Sequence, residues 1–174
     1  MDKYIVEKVS VPEYSLVNQS FPQINYSDSY RVILPGESIQ DVASVTRLFL
    51  TAVPPWVSRL MKIRDRLVSL VGLKTSDQSE RQNITLQKGS SIGIFRVMDH
   101  TSHELLLGEN DRHLDFRVSI LMDEVHELKY VTISTVVFFH NRLGRLYFFV
   151  IKRFHKAIVS AMLKNMIRQM TSAT

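Results

Sequence analysis

The final third of the chain, from His113 to Met170, contains no proline. The spacing of its apolar residues changes once along this segment, from the alternation of a strand to the periodicity of a helix. Residues 113–123 and 128–139 alternate apolar and polar side chains, which is typical of neighbouring antiparallel strands. From about Leu143 the apolar residues recur at helical spacing, and the side of the helix predicted to contact the sheet carries Leu146, Val150, Phe154, Ile158, Ala161, Met162 and Met166. This pattern predicts a hydrophobic sheet followed by a long helix that packs on one of its faces.

The two long strands should form a hairpin with one apolar face. We expect residues 124–127 to form a four-residue turn that pairs Asp123 with Leu128. Because side chains alternate between the faces of a strand, this register places the apolar residues together against the helix. The opposite face is amphipathic and is predicted to face solvent, with the alternative that its polar residues hold a ligand carboxylate or serve acid–base chemistry. It carries His113, Asp115, Arg117 and Ser119 beside Phe138, Val136, Ser134 and Thr132.

The first part of the chain is predicted to be less regular. All five prolines lie within the first 55 residues, and the segment up to about residue 28 should be irregular. A short strand is expected at Tyr30–Leu34. Two helices should follow, the first with Ser38 as its N-cap and the second from Trp56 to Leu70. Residues 74–90 are polar and predict a flexible loop.

After this loop, strands at Ile92–Met98 and Glu104–Leu107 precede the long hairpin. Short polar turns join these strands, which favours an antiparallel meander. A chain of 174 residues usually forms one domain. The sequence therefore predicts a single α+β domain over residues 1–174.

The composition is typical of a soluble globular protein, since 45% of the residues are hydrophobic and 22% are charged. The chain has no cysteine, which excludes disulfides, thiolate metal sites and cysteine nucleophiles. No segment reaches the roughly 20 apolar residues that a membrane-spanning helix needs, and the N-terminus lacks the apolar core of a signal peptide. These features predict a cytoplasmic location.

The net charge of +5 is concentrated at the C-terminal end. Residues 141–174 carry seven basic side chains and no acidic one, so the rest of the chain has a small net negative charge. A localised positive helix favours an anionic ligand, partner or membrane surface, and the simpler alternative is a solvated helix face. Nucleic acid is not predicted, because there is no recognition motif and no strand with interleaved exposed aromatic residues.

The familiar catalytic and cofactor motifs do not occur in the sequence. The six glycines form neither a dinucleotide-binding fingerprint nor a phosphate-binding loop, so no cofactor is predicted. His100 and His103, and separately His113 and Asp115, have loose metal-ligand spacings. A catalytic zinc site needs about three protein ligands, so no metal is predicted. His113 and Asp115 remain candidates for a carboxylate–imidazole pair in acid–base chemistry.

The junction between the last strand and the helix holds a second polar cluster. Asn141 is suited to cap the helix. Arg142 and Arg145 lie in the first turn, where their positive charge opposes the helix dipole, so we expect both to have partners. A bound anion and a structural carboxylate such as Asp115 are equal alternatives.

Four blocks of the sequence resemble one bacterial protein family. In chain order they are PPWVSRLMKIRDRLVSLVGLK, GSSIGIFRVMDH, HELLLGENDRHLDFRVSIL and STVVFFHNRLGRLYFFVIKRFHKAIVSAML, within residues 20–170. The family is called domain of unknown function 2867, and it is similar to the START-like, Bet v 1-like helix-grip superfamily. The resemblance implies a curved antiparallel sheet wrapped around a long C-terminal helix, with two shorter helices after the first strand.

The resemblance implies the fold more directly than it implies an activity, and it carries no established catalytic residues. Longer relatives place an oxidoreductase domain before this one, which implies such a domain as a partner. Polar residues of this chain at matching positions are Glu104, Asp111, His113, Asp115, Arg117, Asn141, Arg142 and Arg145.

These observations predict a binding domain with a hydrophobic pocket between the sheet and the C-terminal helix. The predicted ligand is a small hydrophobic or amphipathic molecule. One alternative is an enzyme of the cyclase or isomerase type that uses His113 and Asp115, and another is a peripheral lipid-handling protein that uses the basic helix. The predicted pocket residues are Phe116, Val118, Ile133, Phe154 and Ile158, with Arg117, His140 and Arg145 orienting a polar end of the ligand.

Overall fold

The structure, a computed structural model, describes residues 5–35, 41–60, 62, 88–92 and 95–172. Within these residues, seven strands form one antiparallel sheet in the order β1-β2-β7-β6-β5-β4-β3. None of the helices in these ranges is long and apolar enough to cross a membrane. The strands are β1 (Glu7–Lys8), β2 (Tyr26–Ile33), β3 (Ser91–Ile92), β4 (Phe95–His100), β5 (Glu104–Asn110), β6 (Leu114–Val125) and β7 (Leu128–Phe139).

Helices cover one face of this sheet, which we call the inner face. They are α1 (Val42–Thr51) and the C-terminal helix (Arg142–Ser172). Leu163 and Met166 of the C-terminal helix are fully buried in the main core, together with inward side chains of the sheet such as Ile120 of β6. The predicted α+β class and the packing of the apolar hairpin face against the helix are therefore confirmed.

The β6–β7 hairpin closes in a two-residue turn, not in the predicted four-residue turn. His126 and Glu127 have φ angles of 49° and 65°, the left-handed geometry of a tight hairpin. Val125 pairs with Leu128, so the predicted pairing of Asp123 with Leu128 is wrong by two residues. A two-residue slip leaves every side chain on its predicted face, because the alternation has a period of two. Neither turn residue is the glycine or asparagine that usually marks such a turn.

The N-terminal segment packs on the opposite face of the sheet, which we call the outer face. Val17, in a 3-10 turn at Leu16–Gln19, is buried against Leu106 and Val136. The prediction that this face is open to solvent is therefore wrong. The apolar residues of the segment have irregular spacing, so they give no periodic signal. Buried polar residues of the outer face are Ser29, Glu104, Arg117, Ser119, Thr132 and Ser134.

Several strand boundaries also differ from the prediction, two of them substantially. β2 begins at Tyr26 and not at Tyr30, and the segment predicted as one strand over Ile92–Met98 is divided between β3 and β4. β4 also contains a register shift between Val97 and Asp99, where its pairing with β5 changes. Such a bulge interrupts the apolar–polar alternation from which strands are predicted.

Helix α1 begins after Asp41, whose carboxylate accepts a hydrogen bond from the backbone N–H of Ser44 at 2.8 Å. Asp41 is therefore the N-cap of α1. Residues 55–60 are helical, in agreement with the start of the predicted second helix. The predicted cap Ser38, the rest of that helix and residues 74–87 of the predicted loop lie outside the described residues.

In the first half of the C-terminal helix, the side that packs against the sheet is not the predicted side. Phe148 is buried against the inner face, whereas Leu146, Val150 and Phe154 of the predicted contact side are exposed. Apolar residues surround the helix in this half, so periodicity alone does not identify the buried side. In the second half, Met166 is buried as predicted.

Candidate functional site

A buried carboxylate on β2 connects a tyrosine of the same strand to a histidine of the C-terminal helix. Oδ2 of Asp28 accepts a hydrogen bond from the Tyr26 hydroxyl at 2.5 Å, and Oδ1 lies 3.3 Å from Nε2 of His155. Asp28 is 5% exposed, whereas the His155 side chain is 22% exposed. The carboxylate is therefore shielded while the imidazole stays accessible. We call these three residues the inner polar cluster.

The periodicities of the strand and the helix together position this cluster. Tyr26 and Asp28 are separated by one residue on β2, so both project from the inner face. His155 follows Phe148 by about two helical turns and therefore shares the buried side of the helix. The Phe148 ring centroid is 4.6 Å from that of Tyr26 and 6.4 Å from that of His155. The packing of Phe148 thus brings the imidazole to the Asp28 carboxylate.

Burial keeps the tyrosines of this region protonated. Burial, and then the hydrogen bond to Asp28, raise the pKa of Tyr26 well above its ordinary value. Burial also raises the pKa of Tyr30, and the negative charge of Asp28 adds to the effect. The Lys152 ammonium adds a positive charge here, 4.8 Å from the centroid of the Tyr26 ring.

The Asp28 carboxylate holds the His155 imidazole in place. An imidazole held by a carboxylate can serve hydrogen bonding or proton transfer.

We expect the stability of the protein to decrease above about pH 10 in a way that depends on Tyr26. In the unfolded chain a tyrosine ionises near pH 10, whereas the pKa of Tyr26 is raised in the folded state. Its contribution to the free energy of unfolding is therefore complete below about pH 10 and is lost as the pH rises further. Urea denaturation on both sides of this pH should show a smaller alkaline loss for Tyr26→Phe than for the wild type. Tyr130→Phe controls for the removal of a hydroxyl group, and equal losses in all three proteins would contradict the assignment.

Partly buried apolar side chains lie beside the inner polar cluster. Phe116 and Val118 of β6 are in register, across β7, with Tyr26 and Asp28 of β2, at roughly 10 Å. Two partly buried residues of the C-terminal helix, Tyr147 and Ile151, pack against the same hydrophobic cluster as Phe116. Ile158 of this helix packs against the main core, as Val118 does. We call these five residues the inner apolar surface: Phe116, Val118, Tyr147, Ile151 and Ile158.

The five apolar residues predicted to line the pocket have three different environments. Phe116, Val118 and Ile158 belong to the inner apolar surface. Ile133 is fully buried in the main core, and Phe154 lies on the exposed side of the helix. Of these five residues, Phe116 packs against the same hydrophobic cluster as Tyr26 of the inner polar cluster.

The three polar residues predicted to orient a ligand lie away from this cluster. Arg117 is buried on the outer face, because it alternates with Phe116 and Val118 along β6. His140 follows β7, and its Nε2 atom is 2.9 Å from Oδ1 of Asp115. Arg145 is an exposed residue of the first helical turn, and its guanidinium lies 6.0 Å from the centroid of the Phe139 ring. The structure thus separates Arg117 and His140 from the apolar residues with which they were grouped.

Arg117 has the environment of a structural residue. Its guanidinium donates to Oδ1 of Asn110 at 2.8 Å and lies 4.8 Å from the centroid of the Phe21 ring. Burial lowers the pKa of Arg117, while the charges of Asp115 and Glu109 act in the opposite direction. The contact with Phe21 joins the N-terminal segment to the outer face.

His113 and Asp115 do not form the predicted acid–base pair. Nδ1 of His113 is 3.1 Å from Nδ2 of Asn141, whereas Asp115 contacts His140. The expected cap is confirmed, because Oδ1 of Asn141 accepts a hydrogen bond from the backbone N–H of Gly144 at 3.0 Å. In the described part of the chain, carboxylate–imidazole pairs therefore occur on both faces, Asp28–His155 inside and Asp115–His140 outside.

A groove of about 790 Å³ opens on another part of the surface, where Tyr14 lies beside Asp123. The Tyr14 hydroxyl donates to Oδ2 of Asp123 at 2.6 Å, and Arg31 contacts the same oxygen at 3.2 Å. The residues known to line the groove include neither the inner polar cluster nor any of the eight predicted ligand residues. Among the described residues, no three histidine, aspartate or glutamate side chains are placed to hold a metal ion.

None of the three members of the inner polar cluster was predicted from the sequence. The predicted irregular segment extends to about residue 28, so Tyr26 and Asp28 fall outside the predicted strand. A signal exists in the segment YSDSYRVI, where Asp28 precedes Tyr30 at the spacing of one strand face. His155 can be identified as a site residue only after the buried side of the helix is known. The apolar pattern in this half of the helix is compatible with burial of either of two sides.

The fold defines an α+β protein in which a long C-terminal helix and a shorter one cover one face of an antiparallel sheet. The chain belongs to the family described as "Protein of unknown function (DUF2867)", whose sequence profile matches residues 20–162. The family resemblance of the four sequence blocks is thereby confirmed. The chain is also similar to a conserved protein from Geobacillus kaustophilus, with 13% identity, a TM-score of 0.41, and coverage of 85% of this chain and 97% of that chain. No curated protein matches the sequence.

Proposed function

We propose that this domain binds a small amphipathic molecule between the inner face of the sheet and the C-terminal helix. The observation that carries the proposal is the position of the Asp28–His155 pair beside the inner apolar surface. Small-molecule sites are usually apolar and contain a few polar groups that orient the ligand. The apolar part of the ligand would contact Phe116 and Val118, and its polar end would bind His155.

We expect the polar end of the ligand to be a hydroxyl or a carboxylate. Asp28 is already engaged by Tyr26 and His155, so it orients the imidazole and does not need a ligand donor. His155 supplies its other ring nitrogen for a hydrogen bond, and the nearby Lys152 supplies donors and positive charge. A fatty acid or a hydroxylated apolar molecule has this chemistry.

We also assign the domain to the START-like, Bet v 1-like helix-grip superfamily. The assignment is supported by the antiparallel sheet, by α1 between β2 and β3, and by the C-terminal helix on the inner face. The resemblance to this superfamily implies lipids, hormones or polyketides as the class of ligand.

The two carboxylate–imidazole pairs provide a matched test with a fluorescent fatty acid, cis-parinaric acid, as the probe. We expect His155→Gln to weaken probe binding about tenfold, because one hydrogen bond to a charged group is worth about 1.5 kcal/mol. His140→Gln, which changes the outer pair, should bind as the wild type does. Val118→Trp, which fills the inner apolar surface without touching the polar cluster, should also weaken binding. Equal affinities in all four proteins, or no binding to the wild type, would refute the proposal.

An enzyme of the cyclase or isomerase type is the second candidate, favoured by the same Asp28–His155 pair. An imidazole held by a carboxylate is a common general base. A molecule that is retained through purification from cells and identified by native mass spectrometry would serve as the substrate. If the protein transfers protons, incubation in deuterated water should exchange a carbon-bound hydrogen of that molecule in the wild type and not in His155→Gln. A binding protein would leave it unlabelled.

A further inference from the structure

The first half of the C-terminal helix exposes a row of large apolar side chains that faces away from the sheet. They recur at the spacing that places side chains on one side of a helix. Phe149 is 76% exposed and Leu146 is 63% exposed. A contiguous exposed apolar patch usually marks an interaction surface. This exposed stripe consists of Leu143, Leu146, Phe149, Val150 and Phe154.

Basic side chains flank the exposed stripe. The helix contains no acidic residue over its whole length. At about 100° per residue, its basic residues in this half fall within one sector of about 100° on the flank of the stripe beside Leu146, and Phe149 lies within that sector. Arg142, Arg145 and Arg153 are exposed, and Lys152 and Lys156 are partly buried.

We infer that this half of the helix binds the surface of a membrane that contains anionic lipids. The stripe between Leu143 and Phe154 is about 17 Å long, and it lies in the plane of the membrane with its side chains among the acyl chains nearest the headgroups. The basic flank contacts the negative headgroups. An apolar side, a cationic flank and the lack of acidic residues are the features of an interfacial helix.

A second copy of the chain matches this surface less well. Two copies that met through the exposed stripe would bring two basic flanks together, and neither helix has an acidic residue to offset them. Anionic headgroups provide the opposite charge along the whole flank. Charge complementarity therefore favours lipid as the occupant.

Vesicle flotation with the full chain tests this inference. The probes are vesicles of phosphatidylcholine alone and of phosphatidylcholine mixed with phosphatidylserine, at low and at high salt. We expect binding to the anionic vesicles, and we expect this binding to weaken as salt rises, because part of the attraction is between charges. Phe149→Ser should weaken the binding about tenfold, since the ring no longer enters the membrane. Arg153→Glu should weaken it as well and should reduce the salt dependence.

Leu128→Ser is the matched control. It removes an exposed leucine near the tight turn, at the opposite end of β7 from the helix, and should leave vesicle binding unchanged. Phe149→Ser should also keep the wild-type unfolding temperature and its affinity for cis-parinaric acid, so failure of this inference is distinguishable from failure of the proposed ligand site. No binding to anionic vesicles, or equal binding of wild type and Phe149→Ser, would overturn the inference. A dimer that Phe149→Ser dissociates would overturn it in favour of a second copy.

Discussion

Gly144→Ala should destabilise the protein by about 2 kcal/mol, although the same change at an exposed helix position is stabilising. A Cβ atom at residue 144 would lie 2.0 Å from the carbonyl oxygen of His113 and 2.7 Å from its carbonyl carbon. The backbone of the first helical turn therefore rests directly on the residue before β6. Overpacking of this kind costs about 3 kcal/mol, which exceeds the helix-propensity gain of about 1 kcal/mol.

The sign of the change in the free energy of unfolding decides this prediction. Urea denaturation of Gly144→Ala measures it, and Ala157→Gly at an exposed position of the same helix gives the propensity effect alone. We expect both variants to be less stable than the wild type. A Gly144→Ala protein more stable than the wild type would mean that the helix does not approach His113 so closely.

Glu104→Ala should destabilise the protein by about 3 kcal/mol and loosen the N-terminal segment. Glu104 is 3% exposed on the outer face. It accepts hydrogen bonds from the Ser15 hydroxyl at 2.6 Å, from the backbone N–H of Leu16 at 2.9 Å and from the Ser119 hydroxyl. Removal of the carboxylate leaves these buried donors without an acceptor, which costs more than the loss of an exposed hydrogen bond.

Urea denaturation and limited proteolysis together measure this effect. Glu124→Ala is the matched control, because Glu124 is exposed and its removal should change stability by less than about 0.5 kcal/mol. We expect Glu104→Ala to be cut faster than either the wild type or the control, within the N-terminal segment. If both variants resisted the protease equally, the carboxylate would not be what holds this segment.

The parts of the fold that could be predicted are those with long periodic signals. Alternation along β6 and β7 identifies the inner face correctly even though the turn between them is two residues shorter than expected. The reason is that the pattern repeats every two residues, so it determines the face more firmly than the register. The cover of the outer face could not be predicted in the same way, because Val17 and its apolar neighbours in the N-terminal segment follow no period.

The candidate site was less predictable than the fold. Phe116, Val118 and Ile158 were named from their apolar faces and do lie on the inner apolar surface. Asp28 and His155 were not named, because they are 127 residues apart in sequence and become neighbours only when the helix packs on β2. A pairing between distant residues has no local signal.

The amino-acid sequence by itself determined the α+β class, the apolar face of the long hairpin, the concentration of positive charge in the last helix and the family. These properties depend on the order and spacing of neighbouring residues. The tertiary structure decided which side of the first half of the C-terminal helix is buried, and hence that His155 meets Asp28 while Phe149 faces outward. That half of the helix is apolar on more than one side, so its own pattern is compatible with two orientations. The close contact of Gly144 with His113 and the packing of Phe148 on Tyr26 select one of them.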